Sequence, residues 1–374
     1  MRWKSKALFF WWKTIDKYTF MASIGLFTIG LMLAMTASPA IANKMGLKPS
    51  YFIVRHLAYV SFGFVLMVLI STLSEKSLKK FAVIGFFLFA TLTCLVPVLG
   101  CEVKGARRWI KAFGFCLQPS EMLKPCFVLF IGILLDRTHR LQKWGYRMIA
   151  CLITIGVIIT LLMQPDIGTT ILFLITFCLQ LFISGMPTIL VCAALGMIFS
   201  VSLGCYMYFP HISARINRFF GSDLSYQTAK SLDAFQHSGL LGRGLGEGRI
   251  KEILPDAHTD FIFAVAAEEF GIASCIAIMT CFILIGMVNL YKAILDQNRF
   301  RILSLVGLAL ILCLQASINI AVSVNLMPTK GMTLPLLSYG GSSIISTSMC
   351  IGILLALTKK VSSTSRYQLT YFIC

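Results

Sequence analysis

The chain has 374 residues, of which 57% are hydrophobic and only 13% charged, with a mean hydropathy of +0.84. A soluble domain carries about 25% charged residues, so a soluble fold is excluded. The net charge of +18 does not signal nucleic acid either, because no basic run is interleaved with exposed aromatics in a polar segment; cations on so apolar a chain suit anionic phospholipid and anionic lipid-linked substrates.

Apolar runs of about 20 residues, the length that crosses a bilayer, recur at roughly 18–37, 53–73, 81–99, 120–135, 148–163, 167–184, 187–208, 261–289, 302–325 and 341–358. They predict an all-α polytopic membrane protein of about ten transmembrane helices, with a large outer loop between helices 7 and 8. One membrane domain, 18–358, is flanked by a basic tail, 1–17, and a short tail, 359–374; its long outer loops fall at about 100–120 and 209–260. Lys and Arg gather at Arg2 to Lys17, at Lys76, Lys79 and Lys80, from Arg137 to Arg147, at Lys292, Arg299 and Arg301, and at Lys359, Lys360 and Arg366. All of these lie on one side if ten helices alternate. Cations mark the cytoplasmic side, so both termini are expected there. The charged lead is long and the apolar core after it fills a full span, as in an uncleaved first helix rather than a cleaved signal. The thirteen cysteines sit mostly inside apolar runs, with no Cys-x-x-Cys pair and no zinc spacing, and read as small hydrophobes.

Six segments carry the polar chemistry. In Gly105-Ala-Arg107-Arg108-Trp109-Ile110-Lys111, two guanidiniums beside an indole suit a phosphate and a sugar face; an interfacial segment anchored by Trp109 fits the spacing equally well. In Gln118-Pro-Ser120-Glu121-Met-Leu-Lys124, Ser120 is placed to cap the fourth helix. Glu121 and Lys124, three apart, can pair on one face, expected to look into the bundle. Gln164-Pro165-Asp166 is a Pro-broken junction in which Asp166 suits a helix cap. Gly239, Gly242, Gly244, Gly246 and Gly248 crowd the second long loop, either as turns or as a nest whose backbone N–H groups meet an anion. Asn319 precedes Pro328-Thr-Lys330-Gly331-Met-Thr-Leu-Pro335-Leu-Leu-Ser338-Tyr339-Gly340-Gly341-Ser342-Ser343, one cation and a string of hydroxyls re-entering the membrane.

Most informative is Leu254-Pro-Asp-Ala-His258-Thr259-Asp260, running into Phe-Ile-Phe-Ala-Val-Ala-Ala-Glu268-Glu269-Phe270. Ionisable groups at a lipid–water border are costly and tend to mark sites where a substrate or ion is handled. A full span is already available from Gly271 to Leu290, so residues 260–270 are expected to form an extra helical stretch at the outer face. On it, Asp260 and Glu268 would occupy related sides, and Asp260 would look into the outer loops.

Together these segments resemble the SEDS family of shape, elongation, division and sporulation proteins. The resemblance runs from about residue 20 to 358 and is carried by Gly105-Ala-Arg-Arg-Trp-Ile, Gln118-Pro-Ser-Glu-x-x-Lys124, Gln164-Pro-Asp-x-Gly-Thr, Leu254-Pro-x-x-His-Thr-Asp-Phe-Ile-Phe and Pro328-x-Lys-Gly-x-Thr-Leu-Pro-x-x-Ser-Tyr-Gly-Gly-Ser-Ser343, in family order. The 225–258 segment looks closer to the FtsW-like division branch than to the RodA-like elongation branch. The family implies a ten-helix peptidoglycan glycosyltransferase of the cytoplasmic (inner) membrane, at the division site for the division branch. It would join the disaccharide units of lipid II on the outer face, with a class B penicillin-binding transpeptidase and other division-machinery membrane proteins as partners. Carried over by position, Asp260 is the essential acid, and Arg107, Arg108, Trp109, Glu121, Lys124 and Lys330 line the outer cavity. The chain departs from the family at Lys230, Gln236-His237-Ser238 and Gly248, changes that touch the large outer loop and spare the catalytic motif.

Chemically, polymerisation needs a base for the acceptor hydroxyl and cations for the departing pyrophosphate. Asp260 is the candidate base. Arg107, Arg108, Lys111 and Lys330 are the candidate pyrophosphate ligands, and His258, Thr259, Asp166, Glu268 and Ser338 are supporting residues. No cofactor is called for; a divalent cation held by the pyrophosphate is compatible with the chemistry, and the sequence shows no ligand set for one. The rival from another class is a lipid II flippase, since Glu121, Lys124 and Glu268 would equally suit a transport path.

Overall fold

We describe the protein from a computed structural model, which covers residue 9, residues 11–103, 106–112, 115–141, 144–189, 226–328 and 331–359, and scattered positions from 190 to 225. The predicted span at 187–208, Lys330 and most of both tails fall wholly or largely outside the described residues.

Among the described residues, helices α1 (Lys17–Lys44), α2 (Tyr51–Ser71) and α3 (Glu75–Leu99) lead to a three-stranded sheet of β1 (Cys101–Val103), β2 (Ala106–Ala112) and β3 (Phe115–Leu117). Then come α4 (Pro119–Leu141), α5 (Trp144–Met163), α6 (Ile167–Ile183), the short α7 (Tyr226–Gln236) and α8 (Ile250–Ile253), and finally α9 (Ile262–Leu295), α10 (Arg299–Ser323) and α11 (Gly341–Leu357). Six of these, α1, α2, α3, α5, α9 and α10, are long and apolar enough to cross a membrane. α6 and α11 are apolar but 17 residues long, and α4 carries Glu121 and Lys124 in its first turns.

The segment expected as an outer loop at about 100–120 holds the three-stranded sheet. β1 pairs antiparallel with β2, and β2 with β3. Arg107 to Lys111 alternate too briefly to announce a strand, and the sheet rests on the bundle, where β2 meets α3 and α4, and β3 meets α11.

α4 is the central post. Every residue from 119 to 132 is buried, against α3, α5, α6, α10 and α11. Phe86 of α3 stacks on Phe130 at 4.4 Å, and Phe127 meets Phe173 of α6 edge-on at 4.7 Å. Small residues bring other helices close: a Cβ on Gly307 would stand 2.6 Å from Val128 Cγ1, and one on Gly63 2.6 Å from Ser348 Oγ. Close approach of this kind is how helices gain packing energy where burial from water supplies none.

α9 is two helices. Gly271, at φ 76° and ψ −176°, breaks it into the stretch ending at Phe270 and the long span after it, as expected from the sequence. The break orphans backbone groups on both sides, and the glycine-rich loop satisfies them. Arg243 and Gly244 donate to the carbonyls of Glu268 and Glu269 at 2.9 and 3.1 Å, while Ile272 and Ala273 donate to those of Gly239 and Leu240 at 3.2 and 3.3 Å.

Candidate active site

The polar segments converge at one end of the bundle. Residues 255–261 form tight turns before α9, in which Thr259 and Asp260 both donate their N–H groups to the Asp256 carbonyl at 3.1 Å. The cap position of α9 is Phe261, with no side-chain cap, so Asp260 stands one residue ahead of the cap. Three consecutive carbonyls here are held from outside. That of His258 accepts from the Tyr339 N–H at 2.8 Å, that of Thr259 from the Ser338 hydroxyl, and that of Asp260 from Asn319 Nδ2 at 2.8 Å. Such a clamp presets the path of the main chain that presents Asp260.

The wall facing it is the segment after Pro328. A Cβ placed on Gly331, which has φ 63°, would lie 3.6 Å from Asp260 Oδ2, so backbone passes next to the carboxylate. Asn319 also donates to the Met332 carbonyl at 2.6 Å, and Gln315, one turn earlier on α10, donates to that of Thr333 at 3.0 Å. Ser338 Oγ accepts from the Leu334 N–H at 2.8 Å as well as donating to Thr259. The His258 ring is buried between Phe52 at 5.4 Å and Tyr339 at 5.2 Å. Burial pushes the Tyr339 hydroxyl up to about 12, so it keeps its proton.

The first outer loop divides its cations. β1 and β2 pair Cys101 with Trp109 but Glu102 with Arg107, leaving Arg108 as the extra residue of a β-bulge, a device that re-aims a side chain. Arg108 turns to the α5–α6 junction, donating to the Gln164 carbonyl at 3.2 Å and to that of Pro165, with Asp166 Oδ1 at 3.5 Å. In this structure Arg108, a candidate pyrophosphate ligand by sequence, is engaged with the protein's own carbonyls and Asp166. Asp166 also caps α6 through the Thr169 N–H. Arg107 is exposed, with the exposed Glu102 beside it at 3.6 Å, and Lys111 is exposed too.

Glu121 and Lys124 pair as the spacing predicts. Lys124 Nζ lies 2.6 Å from Glu121 Oε1 and 2.7 Å from Gln315 Oε1. With Lys124 2% and Glu121 7% exposed, the pair sits inside the bundle.

Glu268, a candidate support of Asp260 by sequence, holds the long loop. It accepts from the N–H groups of Arg249, Ile250 and Lys251 at 2.7, 2.8 and 3.0 Å. Glu269 accepts from the Gly246 N–H at 2.5 Å and pairs with Lys251. The glycine-rich loop thus forms a nest around the protein's own carboxylates. Both glutamates are fully buried, which their place beside a span did not reveal. Sequence reading also left Gln315 and Asn319 without a role; two amides four apart on an apolar helix were the available signal.

Among the described residues no group of three His, Cys, Asp or Glu side chains could hold a metal ion, so they build no metal site.

A bundle of apolar helices with its polar machinery in re-entrant and loop segments at one end defines a polytopic integral membrane protein. Comparison with known proteins makes this specific. The chain belongs to the FtsW/RodA/SpoVE family, whose model, described as "Cell cycle protein", matches residues 17–363. It is 35% identical to the probable peptidoglycan glycosyltransferase FtsW of Caulobacter vibrioides over 358 residues, 95% of this chain and 92% of the relative. It is 33% identical to that of Coxiella burnetii, covering 91% and 95% of the two chains. Among solved structures it resembles a chain of a peptidoglycan synthase complex studied for the coordination of polymerization and crosslinking, with TM-score 0.78, 25% identity and coverage of 95% and 99%. It also resembles the rod shape determining protein RodA of Thermus thermophilus, with TM-score 0.69, 26% identity and coverage of 92% and 96%.

Proposed function

We propose that the chain is a peptidoglycan glycosyltransferase that polymerises lipid II at the outer face of the cytoplasmic membrane, in the manner of the division-branch relatives it matches. The observation that carries the chemical assignment is the placing of Asp260, whose Oδ2 faces the Gly331 backbone while its own main chain is clamped by Asn319. Asp260 takes the proton from the acceptor sugar hydroxyl as that oxygen attacks the anomeric carbon of the donor, and the lipid pyrophosphate departs. Arg107 and Lys111 meet the negative charge that develops on the pyrophosphate, together with Lys330. Trp109 offers its face to a sugar ring. A divalent cation held by the pyrophosphate is compatible with this chemistry.

The partner is a class B penicillin-binding transpeptidase, within a set of division-machinery membrane proteins at the division site. Both termini face the cytoplasm. In support, Lys292 near the end of α9 meets Asp16 ahead of α1 at 2.7 Å, and Arg301 at the start of α10 meets Glu75 of α3 at 3.4 Å; these cation-bearing ends lie across the helices from Asp260.

The test uses purified full-length protein with its transpeptidase partner and lipid II in detergent, where polymerisation survives the loss of two compartments and transport does not. Asp260→Ala should make no glycan chains. Synthesis at the normal rate by that variant would remove Asp260 as the base.

A further inference from the structure

α10 is apolar apart from a few polar side chains, and two of these, Gln315 and Asn319, stand one turn apart and are buried to 4% and 1% exposure. Both amides bridge. Gln315 accepts from Lys124 at 2.7 Å and donates to the Thr333 carbonyl at 3.0 Å. Asn319 donates to the carbonyls of Met332 at 2.6 Å and Asp260 at 2.8 Å. Asn319 Oδ1 has no hydrogen-bond partner among the described residues, so this amide is engaged only as a donor. The two chain segments that meet at the Asp260 carboxylate are thereby both referenced to one rigid helix. Four residues of α-helix rise about 6 Å, and the pair acts as a ruler along that length. Lys124, itself held by Glu121 at 2.6 Å, fixes the lower end.

We propose that Asn319 and Gln315 are positioning residues that hold Asp260 against the 331–333 segment at the spacing proton transfer needs. The proposal rests on Asp260 being the base. Misplacing a reacting group by about 1 Å can cost on the order of 100-fold in rate, so the loss should fall on turnover rather than on substrate capture.

The experiment compares steady-state kinetics and thermal unfolding of the full-length protein with its transpeptidase partner on lipid II, as wild type, Asn319→Leu, Gln315→Glu and Asp260→Asn. Leucine keeps the asparagine shape without donors; glutamate keeps the acceptor toward Lys124 and loses the donor toward Thr333. Both α10 variants should lose at least about 20-fold in kcat with KM within about threefold of wild type and folding retained, and Asp260→Asn should be inactive. Full turnover by both α10 variants beside an inactive Asp260→Asn overturns the positioning role and leaves the base assignment standing. An active Asp260→Asn overturns the base assignment and this proposal with it. A rise in KM alone, or failure of both α10 variants to fold, also overturns it, because the amides would then serve substrate binding or the bundle instead.

Discussion

Gly242 and Gly271 lie backbone against backbone: a Cβ on Gly242 would stand 2.6 Å from the Gly271 nitrogen, and one on Gly271 2.4 Å from the Gly242 nitrogen. Gly271 also has a φ/ψ pair open essentially to glycine alone. Alanine at either position should therefore cost at least about 2 kcal/mol, read as a lowered unfolding temperature in detergent. Gly25→Ala is the contrast. Gly25 lies inside α1, where a Cβ would meet Cys281 Sγ of α9 at an ordinary 3.8 Å, and the exchange should be neutral or stabilising by about 0.5–1 kcal/mol.

The bulge at Arg108 separates two neighbouring arginines by role. Arg108→Ala strips donors from two carbonyls and a partner from Asp166, and should destabilise the fold by about 1–3 kcal/mol. Arg108→Lys should not restore it, since an ammonium lacks the planar fork. Arg107→Ala and Lys111→Ala should leave thermal unfolding unchanged and weaken use of lipid II. Equal unfolding losses for Arg107→Ala and Arg108→Ala would refute the division.

Removing one member of the Glu121–Lys124 pair strands a buried charge. Lys124→Met should cost about 3–5 kcal/mol, and adding Glu121→Gln should recover a large part of that loss. A double-mutant cycle on unfolding free energies reads the coupling, and strict additivity would contradict the 2.6 Å contact.

Asp16 gives a pH dependence. Burial pushes its carboxyl up, but hydrogen bonds from Lys292 and Thr19 outweigh this and hold it below its ordinary 3.8. A carboxyl lowered in the folded state adds stability that is fully present above its unfolded pKa and is lost as pH falls through the folded one. Asp16→Asn should therefore be less stable than wild type at pH 7, and the gap should close as the pH drops below about 4. A gap that stays constant down to pH 3 would rule out the carboxylate as its source.

Much of the site was legible in the chain. Asp260 stood out because charge beside an apolar span is expensive, the Glu121–Lys124 pair because three residues is one helical turn, and the extra helical stretch at 260–270 because a full span remained after Gly271. Other assignments were open to two readings. An arginine in a bulged strand and a glutamate at a membrane border look the same in sequence whether they face a ligand or the protein's own backbone.

Sequence by itself determined the membrane class and the apolar helices seen among the described residues, because lipid rejects unpaired polar groups and that demand is written locally, in runs and turns. Tertiary structure alone decided which partner each polar group takes. Arg108 reaches carbonyls 56 and 57 residues away, Glu268 takes N–H groups 17 to 19 residues back, and Asn319 reaches Asp260 across 59. Those choices depend on which segments fold into contact, and a hydrogen bond is satisfied by proximity in space whatever the separation along the chain.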